Sequence, residues 1–132
     1  MPLEVVAQFT YRKGWSELLG LISLPYAELY AERKDGSWMR LGGLVDSGAV
    51  ISILHYDYAR ELGIERVEET DVKGYIYGVC RGRREVTRIL VYVHKIRLRI
   101  GEEIFEVRVG FAESGVEVPT IIGRLDIFDK YI

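Results

Sequence analysis

The chain of 132 residues has the length of one domain, and its 48% hydrophobic and 29% charged residues are typical of a globular protein. A net charge of -2 gives no clustered positive surface for phosphates, so we expect no nucleic-acid partner. No apolar run is long enough to span a membrane, and the first residues lack the pattern of a signal peptide. We therefore expect a single domain over residues 1–132 without a membrane partner.

The cysteine and amide contents indicate a setting for the protein. Cys80 is the one cysteine, so no internal disulfide forms and a reducing, cytoplasmic location is expected. The chain has no Asn, Gln8 is its one Gln, and Lys, Arg and Glu are abundant. Few thermolabile amides with many charges are typical of thermophile proteins, and we hold a thermophile-like composition as a hypothesis.

Apolar, β-branched and aromatic runs separated by Gly, Pro and Asp predict a succession of short strands. Asp35-Gly36 between two of these runs is a strong hairpin signal. Further along, Ile96, Leu98 and Ile100 alternate with arginines, which is the period of a half-buried strand. The predicted strands and turns are, in order, strand 3–11, turn 12–14, a strand or helical turn 18–24 ending before Pro25, strands 26–33 and 38–45, a glycine-containing hairpin 72–86, and strands 86–93, 96–100, 105–109 and 119–124.

Two stretches have the spacing of short helices. Ser52 is placed to cap a helix that ends at Gly63, and residues 125–131 predict a terminal helix. The apolar face of the first helix would comprise Leu54, Tyr58, Ala59 and Leu62. The whole pattern is therefore mainly β with one or two short helices, which suggests a closed or strongly twisted sheet.

Residues 44–51 place a charge between two apolar runs. Leu44 and Val45 lead into Asp46, and the chain becomes apolar again after a Ser-Gly pair. A carboxylate in a buried setting is costly unless it is paired, hydrogen-bonded or neutralised. The same residues fit an Asx-type turn between two strands, and by themselves they leave both interpretations open.

Three motifs in order resemble the retropepsin-like aspartic proteases, the single-domain relatives of retroviral proteases, over residues 25–132. The first is Leu44-Val45-Asp46-Ser47-Gly48-Ala49, which is similar to the family's sequence of two apolar residues, Asp, Thr or Ser, Gly and Ala. Next in order is the hairpin 72–86, in the place of the family's flap. The last is Ile121-Ile122-Gly123-Arg124, which is similar to the family's second apolar-apolar-Gly motif and is followed by residues that resemble the family's terminal helix.

This resemblance implies a retropepsin-like acid protease fold, a small closed β-barrel with a flap hairpin, and an aspartic endopeptidase that needs no cofactor or metal. In such enzymes two Asp turns hold one water, and this chain has one such turn. The resemblance therefore implies a homodimer in which Asp46 comes from both copies. Two carboxylates in contact share one proton, so one acts as general base on the water and the other as general acid.

Roles for the residues around Asp46 also follow from the resemblance. Ser47 is implied to brace the two turns, and Gly48 to leave room for substrate and bind its backbone. The flap hairpin would close over an extended polypeptide. The implied substrate-binding residues are Gly48, Ala49, Gly74, Tyr75, Ile76, Tyr77, Gly78 and Ile122, and the second motif comprises Ile121, Ile122, Gly123 and Arg124.

Two departures from the family's pattern leave a second function open. The chain stops at Ile132, where the family adds a strand for its dimer interface, so residues 1–24 are the candidate for that sheet. Val50 and Ile51 stand where retroviral enzymes have acidic residues, so the sequence predicts no partner for Arg124. The alternative function is a peptide-binding or dimerisation module with the protease fold and little or no cleavage.

The remaining reactive side chains have ordinary interpretations. His55 and His94 are isolated in sequence, and we interpret them as helix-surface and turn residues and not as metal ligands. Cys80 is interpreted as a small hydrophobic residue. The arginines of residues 81–84 predict a solvated turn, with a preference for acidic substrate residues as the sharper alternative.

Overall fold

The structure, a computed structural model, describes most of the chain: residues 11–16, 20–46, 48–79 and 86–129. At some strand positions it describes the backbone alone: residues 11–16, 20–25, 77–79, 86 and 87. None of the helices formed by these residues is both long and apolar enough to cross a membrane.

Strands dominate the described residues, which confirms the predicted mainly β class. The elements are β1 (Tyr11–Ser16), β2 (Gly20–Glu32), β3 (Trp38–Val45), β4 (Ser52–Leu54), α1 (Tyr58–Glu61), β5 (Lys73–Val79), β6 (Val86–Ile100), β7 (Glu103–Ala112) and β8 (Ile121–Ile122). An irregular turn, Arg124–Phe128, follows β8.

Six of the strands form a ring. Its order is β2, β3, β8, β4, β7 and β6, and it closes where Tyr30 and Ala31 of β2 pair with Arg99 and Leu98 of β6. The β3–β8 and β4–β7 pairs are parallel, and the others in the ring are antiparallel. β1 pairs with the first half of β2, and β5 with the first half of β6, so two hairpins extend from the ring.

The predicted hairpin between β2 and β3 is confirmed. Glu32 lies opposite Trp38, and the side chain of Asp35 accepts the backbone N–H of Ser37 at 2.9 Å. Gly36 has φ +89°, a left-handed conformation that glycine adopts without steric cost. The Asp-Gly pair therefore forms the turn for the physical reason that predicted it.

Alternation along β6 and β7 builds the core as predicted. Ile96, Leu98 and Ile100 are buried, as are Phe105 and Val107 on the partner strand. Burying one such side chain contributes about 1.5–3 kcal/mol, which fixes the register because a slip by one residue would expose the whole set. A second, smaller cluster lies beside this core: Ile53, Ile89, Val91 and Ala112, with Ile51, Ile76, Val116, Val118 and Ile121 packed against it.

On the polar face of β6, Arg97 and Arg99 have partners on β2 and β3. Arg97 lies opposite Glu106 in register, but its guanidinium pairs with Glu32 of β2 at 3.1 Å. Arg99 lies over the rings of Tyr30 and Trp38, at 4.5 and 5.0 Å from their centroids. The closure of the ring brings β2 alongside β6, which strand-by-strand reading of the sequence did not anticipate.

Two predictions near the N-terminus were wrong. Residues 12–14 are not a turn, because they lie inside β1 and pair with residues 22–24 of β2. Pro25 does not interrupt the chain, because it lies within β2 where pairing changes from β1 to β3. A proline lacks the N–H that a strand partner needs, and this changeover is a position that tolerates it.

The helix predicted from Ser52 was also wrong in its start. Residues Ser52–Leu54 form β4, because they pair with β7 and β8, and this pairing overrides the helical spacing. The helix begins only at Tyr58, and Asp57 before it makes no side-chain cap. Gly63 has φ +87° just after the helix, in agreement with its predicted role as a stop.

Candidate active site

Asp46 follows β3 directly, and its side chain is exposed. Its Oδ1 atom accepts the backbone N–H of Gly48 at 2.9 Å, and its carbonyl accepts the N–H of Ala49 at 3.1 Å. These bonds make an Asx-type turn, so the Asx-turn interpretation of residues 44–51 describes their geometry correctly. The turn also fixes the direction of a carboxylate that remains exposed to solvent.

The parallel pair β3–β8 holds the end of β3 in place. Leu44 lies opposite Ile121 and Val45 opposite Ile122. One step further, the N–H of Asp46 donates to the carbonyl of Ile122 at 2.9 Å. The first and third sequence motifs are therefore neighbours in space, although about 75 residues separate them in the chain.

Hydrogen bonds from the residues after β8 hold the rest of the turn. The N–H of Arg124 donates to the carbonyl of Ala49 at 2.9 Å, and the N–H of Leu125 donates to that of Val50 at 2.8 Å. Together with the bond from Asp46, three backbone bonds join the two segments, which fixes the position of the turn relative to the ring.

Gly123 is required at this crossing because the two backbones touch. A Cβ atom on Gly123 would lie 2.6 Å from the carbonyl carbon and oxygen of Ile51, and 2.9 Å from the carbonyl oxygen of Ala49. The N–H of Gly123 donates to the buried hydroxyl of Ser52 at 2.9 Å. The sequence had suggested that Ser52 caps a helix; the structure places it as an internal partner of the second motif.

The other residues of the second motif face different surroundings. Ile122 is 3% exposed and belongs to the main core, whereas Ile121 is half-buried in the second cluster. Arg124 has a half-exposed side chain whose Nε atom lies 3.9 Å from an oxygen of Asp129, a contact that the sequence did not predict. The role of Ile122 in substrate binding stays a prediction.

The predicted terminal helix is replaced, within the described residues, by the irregular turn Arg124–Phe128. Leu125 is extended, and Asp126 has φ 62° and ψ 0°. The carboxylate of Asp126 accepts the N–H and the Nε–H of Arg108 at 2.9 Å, and its Nη2–H at 3.0 Å. These hydrogen bonds and the positive charge hold the pKa of Asp126 below its usual value, while partial burial opposes them.

Sequence reasoning missed the Arg108–Asp126 pair. The alternation of β7 assigned Arg108 only to a wet face, and helical spacing placed Asp126 in a helix. One signal was available: Asp126 stands between two apolar residues, and Asp adopts left-handed conformations more readily than most residues.

The β5–β6 hairpin lies where the glycine-containing hairpin 72–86 was predicted. Gly74 is exposed, and a Cβ atom there would meet nothing within 4 Å. Tyr75 is 53% exposed, with the guanidinium of Arg88 4.1 Å from its ring centroid. Ile76 is half-buried against the second cluster, and residues 77–78 continue β5. Their predicted contacts with substrate stay predictions.

Several predictions concern residues that lie outside the described part of the chain. These are Ser47, Cys80, the arginines of residues 81–84, and residues 3–10 of the first predicted strand.

The two histidines lie in different surroundings from those predicted. His55 follows β4, where its Nδ1 atom accepts the N–H of Asp57 at 3.1 Å and its Nε2 atom lies 3.6 Å from a carboxylate oxygen of Glu117. His94 lies inside β6, and its Nε2 atom is 2.7 Å from the carbonyl oxygen of Val67. Among the described residues, no group of three or more His, Cys, Asp or Glu side chains could hold a metal ion.

A groove of about 520 Å³ lies beside β3. Gly42 and Leu44 of the strand line it, together with His55, Glu117 and Thr120. Asp46, whose side chain is exposed, does not line this groove.

Comparisons with known proteins agree with these motifs. A sequence profile described as "Aspartyl protease" matches residues 29–132, which includes the turn of Asp46, the β5–β6 hairpin and the second motif. No match was found among curated proteins.

Two solved structures are similar to this chain. EIAV protease, in a complex with the inhibitor HBY-793, is 20% identical with a TM-score of 0.48, over 81% of this chain and 86% of that one. A retropepsin-like aspartic protease from Rickettsia conorii is 17% identical with a TM-score of 0.42, over 77% of this chain and 79% of that one. The profile match covers well over half of the chain, and on that ground the chain belongs to the aspartyl protease family.

Proposed function

We propose that the protein is an aspartic endopeptidase of the retropepsin type, active as a homodimer in which each copy contributes Asp46. The observation that carries this proposal is the exposed carboxylate of Asp46, fixed by the Gly48 N–H in a turn that the second motif supports through backbone hydrogen bonds. Family membership supports the choice of peptide hydrolysis as the reaction.

The chemistry needs two carboxylates and one water. Two carboxylates in contact share a single proton, because ionising both would place like charges side by side. The ionised carboxylate takes a proton from water, whose oxygen bonds to the peptide carbonyl carbon. The protonated carboxylic acid polarises the carbonyl oxygen, and it gives its proton to the amine nitrogen as the peptide C–N bond breaks.

A second copy is needed because the chain has one such turn. Two-fold symmetric dimers bring the same residue of both copies to one axis, which is the geometry that a shared water requires. We propose that residues 1–24, part of which form β1 and the start of β2, contribute to the dimer interface. A reducing, cytoplasmic setting belongs to the same proposal, since it rests on the single cysteine.

The substrate is an extended polypeptide bound between the turn and the β5–β6 hairpin. Backbone of Gly48 and Ala49 would bind it from one side, and residues 74–78 from the other, in the manner of an added strand. The exposed ring of Tyr75 and the open space beside Gly74 support this placement, because both leave the hairpin free to meet a ligand.

The test is cleavage of a mixed peptide library at acidic pH, with and without pepstatin. Asp46→Asn should keep the fold and lower the cleavage rate about 10²–10⁴-fold, since it removes the acid–base group. Asp71→Asn, a matched change at an exposed aspartate, should leave the rate unchanged. Cleavage by Asp46→Asn at the rate of the unaltered protein would contradict the mechanism.

Mixing the two proteins tests the shared site. If both copies supply Asp46, the rate after subunit exchange follows the square of the unaltered fraction; if each chain acts alone, it follows the fraction itself. Sedimentation velocity should show a dimer. A dimer that binds peptides without cleaving them would support the alternative, a peptide-binding module, and a strict monomer would contradict the shared dyad.

A further inference from the structure

We propose that Arg108 is a positioning residue for the active-site turn, acting through the carboxylate of Asp126 and the backbone of Leu125. The inference rests on the proposed function for its effect on catalysis. The claim that the Arg108 guanidinium holds the turn in place rests on contacts in the structure and does not depend on activity.

Asp126 is held in a conformation that its own backbone disfavours. It is the one residue other than glycine with a positive φ in the described part of the chain. Such a conformation costs on the order of 1 kcal/mol and persists only when surrounding contacts impose it. Here the contacts are three hydrogen bonds from Arg108, two of them from its guanidinium.

The backbone of Arg108 is held by the ring, because its strand is paired on both sides. β7 pairs with β6 on one side and with β4 on the other. The next residue, Val109, lies opposite Ser52, whose hydroxyl accepts the N–H of Gly123. Two neighbouring residues of β7 therefore support the segment of the second motif: Val109 through Ser52, and Arg108 through Asp126.

Leu125, the residue before Asp126, is hydrogen-bonded to the active-site turn. Its N–H donates to the carbonyl of Val50 at 2.8 Å, and Val50 lies four residues after Asp46. The Arg124 N–H makes the equivalent bond to Ala49 at 2.9 Å. If Asp126 relaxed to a common backbone conformation, these two donors would be displaced first, and the turn would lose its support.

The expected consequence is a loss of catalytic rate with little change in substrate binding. A carboxylate displaced by about 1 Å can lose up to about 100-fold in rate, because proton transfer needs close alignment. Substrate binding is distributed over the turn and the β5–β6 hairpin, so KM should change less than kcat.

The experiment compares Arg108→Ala with Arg97→Ala. Both remove an Arg–carboxylate pair of the ring, with similar exposures: 48% and 26% for Arg108–Asp126, 54% and 28% for Arg97–Glu32. We expect kcat to fall about ten-fold in Arg108→Ala with KM within about two-fold, and both to stay unchanged in Arg97→Ala. Arg108→Lys should restore part of kcat. Equal kcat values in the two alanine variants would overturn the proposal.

Amide hydrogen exchange provides a second measurement that needs no activity. In Arg108→Ala the amides of Arg124 and Leu125 should exchange about ten-fold faster, whereas the β6 and β7 amides should keep their rates. In Arg97→Ala all of these rates should stay as in the unaltered protein. Unchanged exchange at Leu125, or a uniform increase across the ring, would overturn the positioning role.

Asp126 variants keep the test decisive if Arg108→Ala does not fold. Asp126→Asn retains an acceptor oxygen and tolerates the left-handed conformation, so it should fold and show a smaller increase in Leu125 exchange. If the unaltered protein cleaves no peptide, the proposed function is refuted, and the exchange measurement still decides the structural role of Arg108. If the unaltered protein is active and these variants behave like Arg97→Ala, only the positioning role is refuted.

Discussion

Two turns of this molecule each present an aspartate, and they use it in opposite ways. Asp46 is exposed, and in the described part of the chain its carboxylate accepts one hydrogen bond, from the backbone of its own turn. Asp126 accepts three, all from Arg108, and its side chain is 26% exposed. The two turns touch, since the N–H of Leu125 donates to Val50.

The difference separates the carboxylate that we propose to be reactive from a structural one. A group that must take up and release a proton needs oxygen atoms that are not already occupied by donors. A group that fixes the backbone needs the reverse, several strong donors that hold its charge in one place. The turn of Asp126, whose carboxylate accepts three hydrogen bonds, lies next to the turn of Asp46, whose carboxylate accepts one from its own turn.

Gly123, at the crossing between the two turns, gives the largest expected effect on stability. Gly123→Ala would place a Cβ atom 2.6 Å from the backbone of Ile51, which cannot move without disturbing the Asp46 turn. We expect the free energy of unfolding to fall by about 3 kcal/mol, and peptide cleavage to be lost. Chemical denaturation followed by circular dichroism measures the first.

Gly74→Ala is the control for that change, because a Cβ atom at Gly74 would meet nothing within 4 Å. Its free energy of unfolding should change by less than about 0.5 kcal/mol. If Gly123→Ala were as mild as Gly74→Ala, the close contact between the two turns would not exist in solution.

Ser52→Ala should have an intermediate effect. The change removes the buried acceptor of the Gly123 N–H and leaves that donor without a partner, which costs about 2 kcal/mol. Ser114→Ala, at an exposed serine, should change stability by less than about 0.5 kcal/mol. Thermal unfolding of both variants checks the difference, and equal melting temperatures would exclude a structural role for the Ser52 hydroxyl.

Local chemistry in the sequence predicted a large part of this architecture. The Asp-Gly pair located the β2–β3 hairpin, and the alternation of Ile96, Leu98 and Ile100 gave the buried face of β6. The family resemblance also singled out the motif around Asp46 and the second motif, residues 121–124, which backbone hydrogen bonds join in the structure. These features depend on a few neighbouring residues each.

The failures have a common physical cause, which is that long-range pairing overrides local spacing. Ser52 begins an apparently helical pattern, but its hydrogen bonds go to β7 and to Gly123, far away in the chain. Arg108 looks like any arginine on a wet strand face until Asp126 is folded against it. Local patterns do not show which distant residue each of these side chains pairs with.

The smallest expected effect concerns the pH dependence of the structural aspartate. Because Arg108 lowers the pKa of Asp126 in the folded protein, the stabilisation is complete above the unfolded value of about 4 and is lost as pH falls through the folded pKa. Asp126→Asn should therefore cost about 1 kcal/mol at neutral pH, a low figure because Arg108 is half-exposed, and progressively less below about pH 4. Urea denaturation at several pH values measures this difference. In an Arg108→Ala background the same substitution should give a smaller difference that varies less with pH, since the two guanidinium donors are gone and only the backbone N–H of residue 108 still donates to Asp126. A difference that grew as the pH fell would mean that the folded protein favours the protonated carboxyl, and the contrast between the two turns would then be wrong.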